Sequence, residues 1–506
     1  MKRMTNLGAS TALAVILGAG AVHADVTPEQ VWQEWKDYYA GMGQTITTGS
    51  EARDGDTLVV KDAKWAQGDA TTAKTEFSVS ELRLKDLGDG TVELTLPAEL
   101  PITMTVTPAD GKPIETKMKV TQTGYSAKFS GTVESMDMVS EIPDLTFSVD
   151  EVKTDGQDAP VKVQFTIKGG SGKSHVEKAE GRTMTTDMKA DTLDYAVTGA
   201  TPDSGETFNM SGSFSGLTAT GSGMVPAAVS MADMNAALQA GFGFKGDLAY
   251  AGSTMKVDTT GKDGPVKAEG SGGAGKLSVA MSKDGISYGG DSADGKLSVT
   301  GPMPFPVEMS LAQSAFNFVM PVSKSDEAKP AALMVKLIDL KISDTLWNMV
   351  DPAAKLPHDP ATLVLGMTGS IRPLIDIFDP KQSEELVKKA EGADGAGNRS
   401  PFEVSAAKLN QLQAKAAGAE LTGTGDFTFD NSGPTPKPIG AVDLNLTGAN
   451  KLMDNLVGMG LIAQDQVAGY KMMLGMFTVP AGDDAVKSKI EFKEDGGLYA
   501  NGQRLQ

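Results

Sequence analysis

Strict alternation of apolar and polar residues, broken by Asp-Gly pairs, is the feature that most limits what this chain can fold into. Phe77-Ser78-Val79, Val92 to Leu96, Ile102 to Val106 and Val161 to Ile167 all place apolar residues at every second position. A period of two puts one side chain in each pair on the same face of a strand, so these runs predict strands with one buried and one wet face. Asp-Gly occurs nine times, and both residues tolerate the positive φ of tight hairpin turns. Gly-Lys-Leu-Ser-Val appears at 275–279 and again at 295–299, as repeated strands of a meander would. The expected fold is therefore mainly β with a few packed helices, an α+β protein of long, twisted antiparallel meander sheets.

Helices are expected at few places. Thr27-Pro28-Glu29-Gln30 combines an N-cap, Pro at the first helical position and a capping-box Gln. Val31, Trp35, Tyr38 and Met42 then predict one apolar helix face. Ser230-Met231-Ala232-Asp233 predicts a helix over Met231–Ala240, and Ser343 a short helix carrying Leu346, Trp347 and Val350. A helical pair is expected over Asn450–Gly458 and Gln464–Met476. This order of elements suggests two similar helix-plus-sheet units, 25–225 and 226–506. Polar, Gly- and Pro-rich breaks are expected near Thr201–Glu206, Ser323–Lys329, Glu391–Ser400 and Asp430–Lys437.

Residues 1–24 read as a secretory signal: Lys2 and Arg3, an uncharged stretch from Leu7 to Val22, and the small-residue site Val22-His23-Ala24. Cleavage between Ala24 and Asp25 leaves mature Asp25–Gln506. Beyond it, the longest apolar region, Leu452 to Val479, is interrupted by Asp454, Asp465 and Lys471, so no spanning helix is expected. The expected location is the periplasm, with extracellular release as the alternative.

Composition excludes several function classes. With no Cys there is no disulfide, thiolate metal site or Cys nucleophile. A net charge of −19 opposes nucleic-acid binding. Gly169-Gly170-Ser171-Gly172-Lys173-Ser174 lacks the first Gly of a phosphate loop, where Ile167 stands, and reads as a Gly-Ser hairpin loop. Gly285-Ile286-Ser287-Tyr288-Gly289 matches a nucleophile elbow in letters but lacks the following helix, and reads as a meander strand. A triad would have to draw on His175 or His358, the latter in the rigid turn Leu356-Pro357-His358-Asp359-Pro360. Asp291 to Gly295 and Gly482-Asp483-Asp484 are the densest acid clusters, without calcium-loop spacing. No metal or cofactor is expected.

Two stretches carry a resemblance. Trp347-Asn348-Met349-Val350-Asp351-Pro352 continues to Leu356-Pro357-His358-Asp359-Pro360-Ala361-Thr362-Leu363. Pro438 to Leu444 leads through a helix, Gly460-Leu461-Ile462 and a second helix to Asp495-Gly496-Gly497-Leu498. Together with the signal and the length, these resemble the DUF2125 family of alphaproteobacterial envelope proteins. The match covers the last third of the chain well and the rest by architecture. The strand–helix–helix–strand ending is also similar to AsmA-like and DUF945-like periplasmic proteins, although AsmA-like proteins usually keep a membrane anchor. The resemblance implies an envelope compartment and no particular chemistry.

A sheet with one apolar face must cover it with helices, another sheet or a ligand. The expected strand faces exceed what the few helices can cover, and 26 Met residues suit an adaptable apolar surface. The expectation is a non-enzymatic protein holding an apolar ligand such as lipid, or serving envelope maintenance, with Trp32, Trp35, Trp347, Tyr470 and Met473 as lining residues. The alternatives are a structural or protein-interaction module of the envelope, pairing through exposed strand edges, and a hydrolase in which Ser287 or another nucleophile converges with His175 or His358.

Overall fold

A computed structural model describes residues 25–68, 74–108, 111–201, 204–227, 233–262, 264–379, 381–382, 400–433 and 435–506. The signal lies outside these residues, as do all but Ser400 of the break expected at Glu391–Ser400, the expected cap Ser230, and residues 231 and 232 of the expected second helix.

Among the described residues the strands, 28 in all, form one antiparallel sheet. Starting from Thr57–Gln67, each long strand pairs with a later long strand or with two short strands laid end to end. Lys74–Asp86 pairs with Glu99–Thr107 along one half and Val92–Thr95 along the other. Their partners Ile114–Thr123 and Ser126–Gly131 both pair with the single strand Ser135–Thr154. From there the order is Val161–Lys178, Gly181–Ala200 and Thr207–Pro226, followed by a second end-to-end pair, Gly243–Tyr250 and Gly252–Gly261. The sheet continues through Gly285–Thr300, Val307–Met320, Lys329–Ile342, Ala361–Pro373, Phe402–Ala416, Ala419–Asp430 and Lys437–Thr447 to Ala485–Phe492. The division expected at residue 226 falls between strands hydrogen-bonded to each other, so the chain's two halves share one sheet.

Turn chemistry explains part of this path. Asp155-Gly156, with φ of 56° and 74°, closes the hairpin in which Thr154 faces Gln157. Asp294 does not turn the chain. It sits inside Gly285–Thr300 with φ 53°, where the partner changes from Gly275–Ser282 to Gly264–Gly272. There it makes the local kink that lets one long strand follow two short ones. Gly169 to Gly172 are likewise strand interior rather than the expected loop. Gly172 lies between Ser140 and Met188, and Gly170 faces Ile142 closely enough that an added Cβ would sit 3.0 Å from the Ile142 Cβ.

Five helices are present among the described residues. Helix Pro28–Gly41 has the expected capping box, with Thr27 and Gln30 bonding each other's backbone N–H. It docks on the first strands and closes the main core, which includes Val31, Trp32, Leu58, Val60, Trp65, Leu84 and Leu94. The docked face is centred on Val31, Trp32, Trp35 and Tyr39 rather than on a stripe reaching Met42, because the indole of Trp32 takes the centre of the core at 1 % exposure. The second helix is shorter than expected, Met234–Gln239, and Asp233 caps it through the N–H of Ala236. Asp344–Val350 starts after Ser343, whose hydroxyl makes no capping bond. Ala449–Gly458 and Gln464–Phe477 form the expected pair. No helix among the described residues is long and apolar enough to cross a membrane.

Candidate ligand-binding face

Beyond the first strands, side-chain alternation and register combine into a single surface. Met188 pairs with Ala219, Ala219 with Leu248, Leu248 with Leu277, Leu277 with Gly290, and Gly290 with Phe316. The same row continues through Val335, Leu365, Leu412, Gly423 and Leu444. A neighbouring row runs Val279, Tyr288, Phe318, Leu333, Met367 and Leu409. One residue along, the opposite face carries Asp187, Thr220, Asp247, Ser278, Gly289 and Asn317. Oppositely charged neighbours such as Lys256 and Glu269, or Lys267 and Asp258, bridge strands on that wet side.

Much of this apolar face is open. Met188 is 41 %, Tyr288 46 % and Leu333 42 % exposed, whereas the core under the first helix is nearly sealed. Large exposed apolar patches on a protein surface mark binding sites. The repeated Leu-Ser-Val segments contribute Leu277 and Leu297 to the same face. Glycines keep it smooth where rings lie flat across it: a Cβ on Gly212 would stand 2.4 Å from the Tyr195 hydroxyl, and one on Gly275 2.3 Å from that of Tyr250. Tyr195, Phe214 and Tyr250 line a depression of about 480 Å³ with Met255, Leu297 and Leu311.

The face runs into a second cavity, about 260 Å³, where the first helix overhangs the sheet. Trp35, Tyr38, Tyr39, Phe129, Met136, Met138, Val176 and Met184 line it, together with Glu34 and Arg182. Burial pushes the Tyr39 hydroxyl up from its ordinary pKa, and the neighbouring Tyr38 adds to the shift. Met136, Val176 and Met184 are consecutive cross-strand partners, so the cavity is the sheltered end of the apolar face.

The residues expected to line one groove fall into separate places, Trp32 with Trp35, Trp347 alone, and Tyr470 with Met473. Trp32 is core, and its indole packs edge-on to Trp35 and Trp65. Trp35 lines the cavity. Trp347 stacks on His358 at 4.4 Å near the other end. Tyr470 and Met473 lie on the last helix, 51 % and 50 % exposed. At about 4.8 Å per strand, the two ends are on the order of 70 Å apart along the sheet. The lining missed by sequence reading is the Leu, Met and Phe rows themselves, whose signal was the alternation already noted.

The catalytic candidates also stay apart. Ser287 lies near the start of strand Gly285–Thr300, between Ala280 and Val319, as a meander strand would have it. His175 is several strands away, roughly 25 Å along the sheet, and its Nδ1 bonds Asp137 at 2.8 Å. His358 Nε2 is 3.8 Å from buried Asp351. Burial opposes the Asp351 charge, but the backbone N–H groups of Leu356 and Lys355, with His358, hold its carboxyl below the usual range. The acid cluster at Gly482-Asp483-Asp484 has a structural use: the Asp484 carboxylate accepts the N–H groups of Asn450 and Lys451 and so caps helix Ala449–Gly458. Among the described residues, no group of three His, Cys, Asp or Glu is placed to hold a metal ion.

A family model described as an uncharacterized protein conserved in bacteria, DUF2125, matches residues 247–505 and takes in both stretches that carried the resemblance. No curated protein matches the chain. The matched span is just over half of the sequence and holds most of the open apolar face, and the chain belongs to the DUF2125 family.

Proposed function

We propose that this chain is a non-enzymatic periplasmic protein that seats lipid acyl chains on the open apolar face of its sheet. The observation that carries the reading is the unbroken row from Met188 to Leu444, apolar on one side with a polar row beside it on the other. Each methylene moved from water onto such a face gains up to about 0.8 kcal/mol, so a chain lying across several strands gains enough for stable binding. The separation of Ser287 from His175 favours binding over hydrolysis. The signal-like start supports the periplasm.

The test is to purify the mature chain from periplasm without detergent, extract it with organic solvent, and identify lipids by mass spectrometry against a mock purification. Lipid at a stoichiometric amount supports the reading. Folded protein that neither carries lipid nor takes it up from added vesicles contradicts it.

A protein-interaction module is the second reading. It is favoured by the last helix, where Met472, Met473 and Met476 are 70 %, 50 % and 58 % exposed. Methionines suit adaptable partner surfaces. Co-purification of one stoichiometric envelope protein, lost on Met472→Asp, would support it.

A further inference from the structure

We infer that the sheltered end of the apolar face, under the first helix, is a headgroup site for an anionic amphiphile. The inference rests on the lipid-binding reading above and names the ligand class. The cavity wall is apolar, formed in part by Trp35, Phe129, Met138 and Met184. Its charged lining is Glu34 and Arg182, and Lys178 joins them at the same carboxylate. Arg182 and Lys178 face each other across adjacent strands, and both bond the single carboxylate of Glu34. Arg182 donates through one Nη to Glu34 at 2.8 Å, and its guanidinium lies 5.1 Å from the centre of the Tyr38 ring. Its side chain is 15 % exposed, and its buried Nε–H has no hydrogen-bond partner among the described residues.

A buried donor without a partner is costly, and a guanidinium has more donors than one carboxylate can use. Two cations share the one carboxylate of Glu34, so neither has an acid of its own at the edge of this apolar cavity. A phosphate or carboxylate headgroup supplies the missing acceptor. Its tail can then leave the cavity along Met184, Phe244 and Met281, onto the open face. The neutral amphiphile of the same length gains the apolar contacts alone.

The experiment titrates the full mature chain with hexadecyl phosphate and with hexadecanol, following tryptophan fluorescence, in the presence and absence of inorganic phosphate. The expected result is binding of both, with hexadecyl phosphate tighter by about tenfold or more. Arg182→Gln should abolish that preference, read as the ratio of the two affinities in the same variant, and inorganic phosphate at the same concentration should not compete. Should Arg182→Gln fail to fold, Lys178→Gln reads out the same preference, expected to fall severalfold. Equal affinity for both amphiphiles in the wild type overturns the headgroup site while leaving the apolar face intact. Binding of neither overturns both readings. Displacement of hexadecyl phosphate by inorganic phosphate alone also overturns the inference, since the site would then take a free anion.

Discussion

Placing a carboxylate on the open face separates a ligand surface from a packed core. Leu248 and Leu333 are 36 % and 42 % exposed and lie on the apolar side of their strands. Full burial of a leucine is worth about 1.5–3 kcal/mol. With roughly two-thirds of each side chain shielded, Leu248→Asp or Leu333→Asp should cost the free protein about 1–2 kcal/mol. The new carboxylate still reaches water, so no buried-charge penalty adds to this. A typical stability of about 5–15 kcal/mol tolerates the loss. An acyl chain laid over the same position removes that water. A charge then loses hydration without a partner, which should weaken binding by about 3 kcal/mol or more, a hundredfold or greater. Urea unfolding measures the first number, and titration with cis-parinaric acid measures the second. Thr218→Asp, on the opposite face beside Lys189, is the control and should change neither. An open ligand face is ruled out if Leu248→Asp or Leu333→Asp unfolds the chain, because the face would then be covered. It is equally ruled out if lipid affinity is unchanged.

Three further outcomes follow from the same structure. Trp32→Ala should destabilise the fold by about 3–5 kcal/mol, because a fully buried indole leaves a cavity, and near-UV circular dichroism with urea melts checks it. Asp484→Ala should raise hydrogen exchange at Asn450 and Lys451 and cost about 1 kcal/mol, the usual worth of a helix N-cap. Although burial opposes its charge, the N–H groups of Lys451 and Asn450 hold the Asp484 carboxyl below its ordinary value. Its contribution is therefore complete above the unfolded value near pH 4 and disappears as pH falls through the lower folded value, as exchange at those amides should report. Asp137 raises the His175 pKa through its hydrogen bond, so the pair's small stabilisation is complete below about pH 6.5 and lost as pH rises through the folded value. NMR titration should place His175 above the ordinary range, and Asp137→Asn should bring it down.

Local chemistry made much of the fold readable. The Thr27–Gln30 capping box, the alternating strands and the paired C-terminal helices all depend on neighbours close in sequence, and each appears where those neighbours demand it. What sequence alone missed depends on register. Nothing local says that Asp294 marks a change of strand partner, or that Gly170 and Gly172 belong to a strand interior shaped by Ile142 and Met188. The site suffered in the same way. Aromatic residues drew attention as lining, yet Trp32 went to the core, since a large ring is most valuable where it is wholly buried. The face that remained open is made of ordinary Leu, Met and Phe, whose alignment across strands is set by hydrogen-bond pairing far along the chain. The Glu34–Arg182 contact joins a helix to a strand 148 positions later, beyond any local pattern.

The most direct test of the central claim is photocrosslinking in living cells. A benzoylphenylalanine is placed at Leu248, Phe316 or Leu365 on one face, and at Asp247, Asn317 or Thr218 on the other. Lipid adducts at the first three positions and none at the last three are the predicted result. Adducts of equal yield on both faces, or protein adducts alone on the apolar one, would contradict it.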